Sequence, residues 1–349
     1  MQNQEILINE EQSLIDVMNL LDKLATKVLF VVKNNKFIAS VTDGDIRRFI
    51  LKNGNLDAKV RDFANYHPKF LFKNKKSQAK KYLRENSLKA LPILDQNKNI
   101  LEIIFLNDKN IDCYKKNINI PVVIMAGGLG TRLYPYTKVL PKPLIPVGDI
   151  PIVEHIINRF NNQGCDDFYL IVNHKKNMIK AYFNEIKKSY NINYIDENEP
   201  LGTGGGLSLL KNKINKTFVL TNCDILVDED FSNILKFHRK NKNIITMICS
   251  LKNFKIPYGV IEFSDDGVIK NIKEKPEMSF FTNTGCYIVE PEIIDNLEDN
   301  KKIGFPDIVK KYKENNQKVG IYPISENAWL DMGQVDELEK MKQRLNIYE

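Results

Sequence analysis

A chain of 349 residues that is 43% hydrophobic can bury a core and is long enough for two or three domains, which excludes a disordered polypeptide. Its formal charge of +7, from 51 basic and 44 acidic residues, is scattered along the chain; it suits phosphorylated substrates and gives no reason to expect nucleic acid. Cys113, Cys165, Cys223, Cys249 and Cys286 form no C-x-x-C pattern, the first residues do not read as a signal peptide, and no apolar run approaches the ~20 residues of a membrane span, so a cytoplasmic protein without disulfides, zinc or a membrane partner is expected.

Residues 1–115 carry a weak internal repeat with a period of roughly 63. In the first copy a helical pattern over 13–24 leads into the apolar run Val28-Leu29-Phe30-Val31-Val32. A polar turn follows at 33–36, a second strand at 37–41, and then Thr42-Asp43-Gly44-Asp45 opens a helix. The second copy has a helix near 77–86, strands at 90–94 and 100–105, a turn at 95–98, and Asp108 where Asp45 fell. Helix, hairpin, helix, repeated once, resembles a pair of cystathionine-β-synthase (CBS) motifs. Such pairs bind adenine nucleotides in clefts between the repeats. The resemblance would give Thr42 a ligand-contacting hydroxyl and Asp45 the ribose, while Phe105 stands where the second copy needs its hydroxyl. Without a ligand the pair would be a packing or dimerisation module, and a homo-oligomer is expected. The polar stretch 110–119 reads as the linker.

The apolar run Val122-Val123-Ile124-Met125-Ala126 reads as a buried parallel strand, ending in Gly127, Gly128 and Gly130. Glycines there let the backbone turn and present its N–H groups to a ligand. Arg132 follows at once, and Lys142 stands between Pro141 and Pro143, so a polyphosphate seat is plausible chemistry. The spacing fits neither G-x-x-x-x-G-K-[ST] nor the dinucleotide fingerprint. A helix over 151–162 carries His155 and Arg159 on its surface, and 168–172 reads as the next buried strand. Strands alternating with helices predict a doubly wound α/β sheet, with ligands beyond the carboxyl ends of its strands.

Downstream lie Glu197-Asn198-Glu199-Pro200-Leu201-Gly202-Thr203, a strand over 217–222 ending in Asn222-Cys223-Asp224, a hairpin opening at Tyr258-Gly259, Glu274-Lys275-Pro276, Asn283-Thr284-Gly285 and Trp329-Leu330-Asp331-Met332-Gly333. Asp224, at a strand's carboxyl end, is placed to offer an oxygen to Mg²⁺ or to cap a helix. Cys223 reads as a small filler. Val335, Leu338, Met341 and Leu345 predict a terminal amphipathic helix.

The string G-G-x-G-T-R-L-x-P-x-T-x-x-x-P-K-P from Gly127 to Pro143 closely resembles the signature of sugar-1-phosphate nucleotidyltransferases, and the likeness continues to the C-terminus. It implies a Rossmann-like doubly wound catalytic domain over 116–349, preceded by the α+β CBS-motif pair over 1–115. It also implies Mg²⁺-dependent joining of a nucleoside triphosphate to a sugar 1-phosphate, with pyrophosphate released. Ala126, Gly127, Gly128, Gly130, Thr131, Arg132 and Lys142 would hold the nucleotide, with Gly202 and Thr203 at its base. Glu197 and Glu199 are candidates to accept the N1–H and N2 donors of guanine, so GTP is the expected nucleotide. Asp224 and Asp331 would hold the metal. Tyr258, Gly259, Glu274, Lys275, Asn283 and Thr284 would hold the sugar phosphate, with Lys275 on the phosphate itself. Arg132, Lys142, Asp224 and Lys275 would carry the catalysis by positioning and charge neutralisation. A CBS pair followed by such a domain looks like the glucosamine-1-phosphate guanylyltransferases of the legionaminic acid pathway. Mannose- or heptose-1-phosphate guanylyltransferases are the runner-up, and an inert nucleotide sensor is the competing class.

Overall fold

A computed structural model describes residues 5–24, 26–86, 88–105, 117–333 and 341. The chain forms two compact units: Met1–Asp112 with Leu251–Phe280 and Ser325–Asn327, and Cys113–Ser250 with Phe281–Ile324 and Ala328–Glu349. Residues 251–280 and 325–327 therefore group with the N-terminal repeats, although the sequence places them among the transferase motifs.

In the first unit the repeat is visible as two sheets of the same design. Leu7–Ile8 runs parallel to Val28–Lys33, which pairs antiparallel with Lys36–Thr42. Leu71–Phe72 runs parallel to Ala90–Leu94, which pairs antiparallel with Ile100–Phe105. Each hairpin slips register near the same point, at Val31/Val32 and at Ile93/Leu94. Asp108 and most of the expected linker lie outside the described residues. Thr42 and Asp45 form a reciprocal cap on helix Asp43–Asn53. The Thr42 hydroxyl donates to Asp45 Oδ2 at 2.6 Å and accepts from the Asp45 amide at 3.2 Å. Ser13 and Asp16 cap helix Leu14–Lys23 in the same way. A hydroxyl three residues before an Asp thus has a local use at both helices, since it satisfies amides that the first turn leaves unpaired. The same helix Leu14–Lys23 holds the two inserted segments: Asn253 donates to Asn19, and Ser325 and Asn327 donate to Asp22.

The second unit is built on a seven-stranded sheet. Its order is Asn191–Asp196, Asp167–Val172, Val122–Met125, Phe218–Asn222, Glu277–Val289, Ile245–Lys255 and Val319–Ile324. The first four strands are parallel, as the apolar runs of Val122–Met125, Asp167–Val172 and Phe218–Asn222 predict; Asn191–Asp196 alternates polar and apolar residues at the sheet edge. Glu277–Val289 is antiparallel to Phe218–Asn222, so the sheet is mixed. Between Ile245–Lys255 and Glu277–Val289 the chain makes a separate hairpin, Val260–Phe263 with Ile269–Lys273. Alternation sends Val122 and Ile124 to one face and Val123 to the other. One face packs against helices Ile152–Asn161, Lys176–Glu185 and Phe231–Asn241, the other against Phe305–Glu314. Pro151 precedes the first of these helices, whose buried stripe is Ile152, Val153, Ile156, Ile157 and Phe160. His155 is only half-exposed, with Nε2 2.8 Å from the Val147 carbonyl oxygen. Val335, Leu338 and Leu345 of the expected terminal helix lie outside the described residues; Met341 is buried in the core.

A polar chain crosses the far end of this sheet. His238 is fully buried, with Nε2 2.8 Å from Glu290 Oε1 and Nδ1 2.8 Å from the Thr246 hydroxyl. Asn243 donates to that hydroxyl at 3.0 Å, so Thr246 donates to Nδ1, and Nε2 carries the proton toward Glu290. Hydrogen bonds from His238 and then Thr217 hold the Glu290 carboxyl below its usual range, against the opposing pull of burial. A depressed carboxyl stabilises the fold above its unfolded value and loses that stabilisation as pH falls through the folded value. Glu290→Gln should therefore cost about 1 kcal/mol in urea unfolding near neutral pH, the difference between charged and neutral acceptors. The gap between wild type and variant should close below the ordinary glutamate value of 4.5. A gap that stays constant into acid would remove the charge from the account.

Candidate active site

The site begins where two neighbouring parallel strands end. Asn222 pairs with Met125, so the glycine loop after Val122–Met125 and the Asn222-Cys223-Asp224 turn leave the sheet side by side. The chain departs from Val122–Met125 to one flank for Asp167–Val172 and to the other for Phe218–Asn222. That reversal opens a crevice at the carboxyl ends.

The glycines are explained by what surrounds them. Gly130 has φ +67°, and a Cβ there would lie 2.8 Å from Thr137 Cγ2 and 3.0 Å from Lys142 Cβ. Thr137 donates to the Gly130 carbonyl at 2.9 Å. The G, T and K of the signature therefore pack on one another. A Cβ on Gly127 would lie 2.9 Å from Glu197 Oε2, so this glycine admits the acid. Gly128 has open space beside it. Gly202, at φ +81°, differs from expectation: the place a Cβ would take is held by the Ile303 carbonyl oxygen at 2.7 Å, so this glycine serves close packing of chain on chain. Ala126 is buried, and its amide extends the sheet to the Ile171 carbonyl at 2.8 Å.

The two acids, 107 positions apart by number (331 minus 224), are brought together by a two-stranded ribbon. Ile225–Val227 pairs antiparallel with Trp329–Asp331, with Ile225 opposite Asp331, and the Met332 amide donates to the Asp224 carbonyl at 2.8 Å. Both side chains line one cavity of about 220 Å³ together with Arg132, Thr203, Asn222, Asn283, Thr284 and Tyr287. Lys142 Nζ contacts Asp224 Oδ2. Burial, and next the charge of Asp224, push the Asp331 carboxyl above its usual range. Burial works against the charge on Lys142, but the Cys223 sulfur and the Asp224 carboxylate outweigh it and hold the ammonium above its usual range. Burial pushes the Cys223 thiol up to about 12, which agrees with a filler.

These acids fit a divalent cation. Two carboxylates share a partly buried cavity, and burial, with the charge of Asp224 second, disfavours ionisation of Asp331; a hard cation there would favour the charged form. Among the described residues no group of three or more His, Cys, Asp or Glu is arranged for a metal, so the remaining oxygens would come from substrate or water.

The two glutamates part company. Glu197 is buried, and its Oε1 accepts the Leu201 amide at 2.9 Å; burial pushes its carboxyl up and that amide partly offsets the shift. Glu199 is an exposed turn residue. Thr203 accepts from the Phe305 amide at 3.1 Å, and Thr131 opens an exposed 3-10 turn that carries Arg132. Asn283 donates to the Tyr287 hydroxyl at 2.6 Å, while the buried Thr284 hydroxyl donates to the Ile248 carbonyl at 2.8 Å and is spent within the sheet. Tyr258, Gly259, Glu274 and Lys275 belong to the first unit. There the Lys275 amide donates to the Tyr258 carbonyl at 3.2 Å, and Gly259 leaves room for Glu274.

Sequence reasoning missed three residues. Asn222 lines the cavity and fills the space that Gly285 leaves, 2.6 Å from where a Cβ would stand. Asn173 donates to the Glu197 carbonyl at 2.8 Å and packs on Gly127. Lys175 donates to the carbonyls of Thr137, Lys138 and Val139 at 3.2, 2.6 and 2.9 Å. Asn222 could have been taken from its place at a strand end beside Asp224. The other two reach main-chain atoms, for which no side-chain pattern exists.

Comparison with known proteins agrees with this geometry. A nucleotidyl transferase family profile matches residues 121–346, and a CBS domain profile matches residues 1–52, the first of the two repeats. The mannose-1-phosphate guanyltransferase of Saccharomyces cerevisiae is 32% identical over 226 residues, 61% of this chain and 61% of its own length. The bifunctional protein GlmU of Methanococcus maripaludis is 34% identical over 220 residues, 60% of this chain and 51% of its own length. The chain thus spans 51% to 61% of the length of these curated relatives. Among solved structures, HddC from Yersinia pseudotuberculosis complexed with GMP-PN shares the fold, with a TM-score of 0.52 and 22% identity over 65% of this chain and 99% of that one. The family match takes in the glycine loop, both acids and the ribbon that joins them, and the chain belongs to the nucleotidyl transferase family.

Proposed function

We propose that this protein transfers GMP from GTP to a sugar 1-phosphate, glucosamine 1-phosphate by preference, for a surface-glycan or legionaminic acid sugar. The observation that carries the transferase reading is the convergence of Asp224, Asp331 and Arg132 on one cavity, with Lys142 against Asp224. A phosphate oxygen of the sugar 1-phosphate forms a bond to the α-phosphorus as the α–β bridging bond breaks, and the electron pair leaves on pyrophosphate. The attacking oxygen is already ionised, so no general base is needed. Mg²⁺ held by Asp224 and Asp331 would supply Lewis-acid charge neutralisation. Arg132 and the amides of the glycine loop hold the departing phosphates, and Lys142 opposes the charge that grows near the α-phosphate. Lys275, with Glu274, Tyr258 and Gly259, is the candidate for the sugar phosphate from its motif alone.

The preference for GTP rests on Glu197, whose buried carboxylate adjoins the glycine loop through Gly127. An acceptor there suits the donor edge of guanine. The sugar assignment rests on the order of the domains, a CBS match followed by a transferase match. Mannose 1-phosphate is the second reading, supported by the yeast relative's name. The N-terminal pair is proposed to tune the transferase or to dimerise it, with an adenine nucleotide as its candidate ligand. A matrix of four nucleoside triphosphates against glucosamine, mannose and heptose 1-phosphates, with product masses measured, tests the assignment. GDP-glucosamine as the dominant product is expected; a different dominant sugar displaces the sugar reading, and silence throughout favours an inert sensor.

Asp224→Asn and Asp331→Asn should each cost several kcal/mol of transition-state stabilisation, about 10²-fold or more in turnover, with the fold intact. Because burial and Asp224 disfavour the charged form of Asp331, Asp331→Asn should melt at the same temperature as wild type or higher in metal-free buffer. Near-normal turnover for either variant at saturating Mg²⁺ would take that residue out of the metal site.

Glu197→Gln should lower efficiency with GTP by about 1–3 kcal/mol relative to the other nucleotides, because a charged acceptor is lost from one base edge. Glu199→Gln, at an exposed position, should change it far less. An equal loss for all four nucleotides in Glu197→Gln would refute base readout by this residue.

A further inference from the structure

We infer that Lys175 is a positioning residue for the transfer reaction: its ammonium clamps the signature loop so that Lys142 is presented to Asp224. The inference rests on the transferase reading. It starts from a loop that little else holds. Residues 134–140 contain the four-residue helix Tyr136–Val139 between Pro135 and Pro141. Of that helix only Thr137 is buried; Tyr136 is 47% and Val139 71% exposed, so burial does little to anchor it. A helix this short satisfies almost none of its own terminal carbonyls.

Lys175 supplies what the loop lacks. An ammonium has three donors, and here each meets a successive carbonyl, those of Thr137, Lys138 and Val139. Charge-assisted bonds of this kind are the strong ones, and a cation is favoured at the carboxyl end of a helix. The lysine is itself fixed. It sits half-buried, two residues past Asn173, at φ 52° and ψ 33°, a left-handed conformation that a β-carbon disfavours. Asn173 is tied to the Glu197 carbonyl.

From the clamp the path to the chemistry is short. Thr137, whose carbonyl Lys175 holds, donates its hydroxyl to Gly130. Gly130 packs on Lys142, and Lys142 contacts Asp224. Lys175 touches none of the acids and is not assigned to the phosphates. Its effect passes through backbone position, which a transferase needs because misplacement of a charge by about 1 Å is expensive.

The test uses the full chain with Lys175→Met, which keeps the aliphatic stem, and Lys175→Cys, which S-aminoethylation converts to a lysine analogue. Hydrogen exchange gives a readout independent of turnover: amides of 136–142 should exchange at least about 10-fold faster in Lys175→Met, while the sheet amides of 218–222 keep their rate. With GTP and the sugar 1-phosphate that wild type turns over, kcat should fall about 10-fold or more and KM for the sugar phosphate by less than about threefold in either direction. Aminoethylation of Lys175→Cys should restore kcat, with equally treated wild type as control. Unchanged exchange at 136–142, or an unchanged kcat in a turning-over wild type, would overturn the assignment. So would a loss of kcat that aminoethylation leaves in place. If the transferase reading itself is wrong, wild type is silent with every substrate pair while the exchange difference remains.

Discussion

The approach of Asp224 and Asp331 to one partly buried cavity is the constraint on which the candidate site depends. Asp331 lies in one strand of a short ribbon and Asp224 directly precedes the other, with the Met332 amide on the Asp224 carbonyl. Burial, and next the charge of Asp224, keep the Asp331 carboxyl reluctant to ionise, while the Gly333 amide and the charges of Lys142 and Arg132 oppose that shift. A divalent cation beside the two carboxylates would favour the charged form of Asp331 that burial disfavours.

The loop that carries Lys142 shows how much of the signature is spent on packing of the chain against itself. Gly130 is needed for the approach of Thr137 and Lys142, Gly127 for Glu197, and Gly285 for Asn222. Gly202, in the supposed base loop, makes room for the Ile303 carbonyl. Each is a place where one piece of backbone comes closer to another than a Cβ allows. Some signature glycines therefore record internal packing, whereas Gly128 has open space beside it.

In the N-terminal unit the same caution applies to side chains. Thr42 and Asp45, candidates for a nucleotide by resemblance, close a capping box, with Arg48 on the remaining Asp45 oxygen. Ser13 and Asp16 close another at a helix for which no ligand is suggested. A hydroxyl-x-x-acid pattern thus stabilises a helix start by about 1 kcal/mol whether or not it also binds.

Much was legible in the order of residues alone. The apolar run at 122–125 and the glycines after it marked a buried strand and a loop, because parallel strands are covered on both faces and read as continuous hydrophobic stretches. The helix at Ile152–Asn161 followed from its period, and the N-terminal repeat from its spacing. Three matters were decided only in three dimensions. How Asp224 meets Asp331 depends on a ribbon whose strands are far apart in the chain; the family resemblance named both acids for one metal, but local pattern carries no register between distant segments. The different burial of Glu197 and Glu199 was set by the fold, since the two acids are the same residue two positions apart. The work of Lys175 and Asn173 depends on main-chain carbonyls, which every residue has and which no sequence can single out until the fold brings them near.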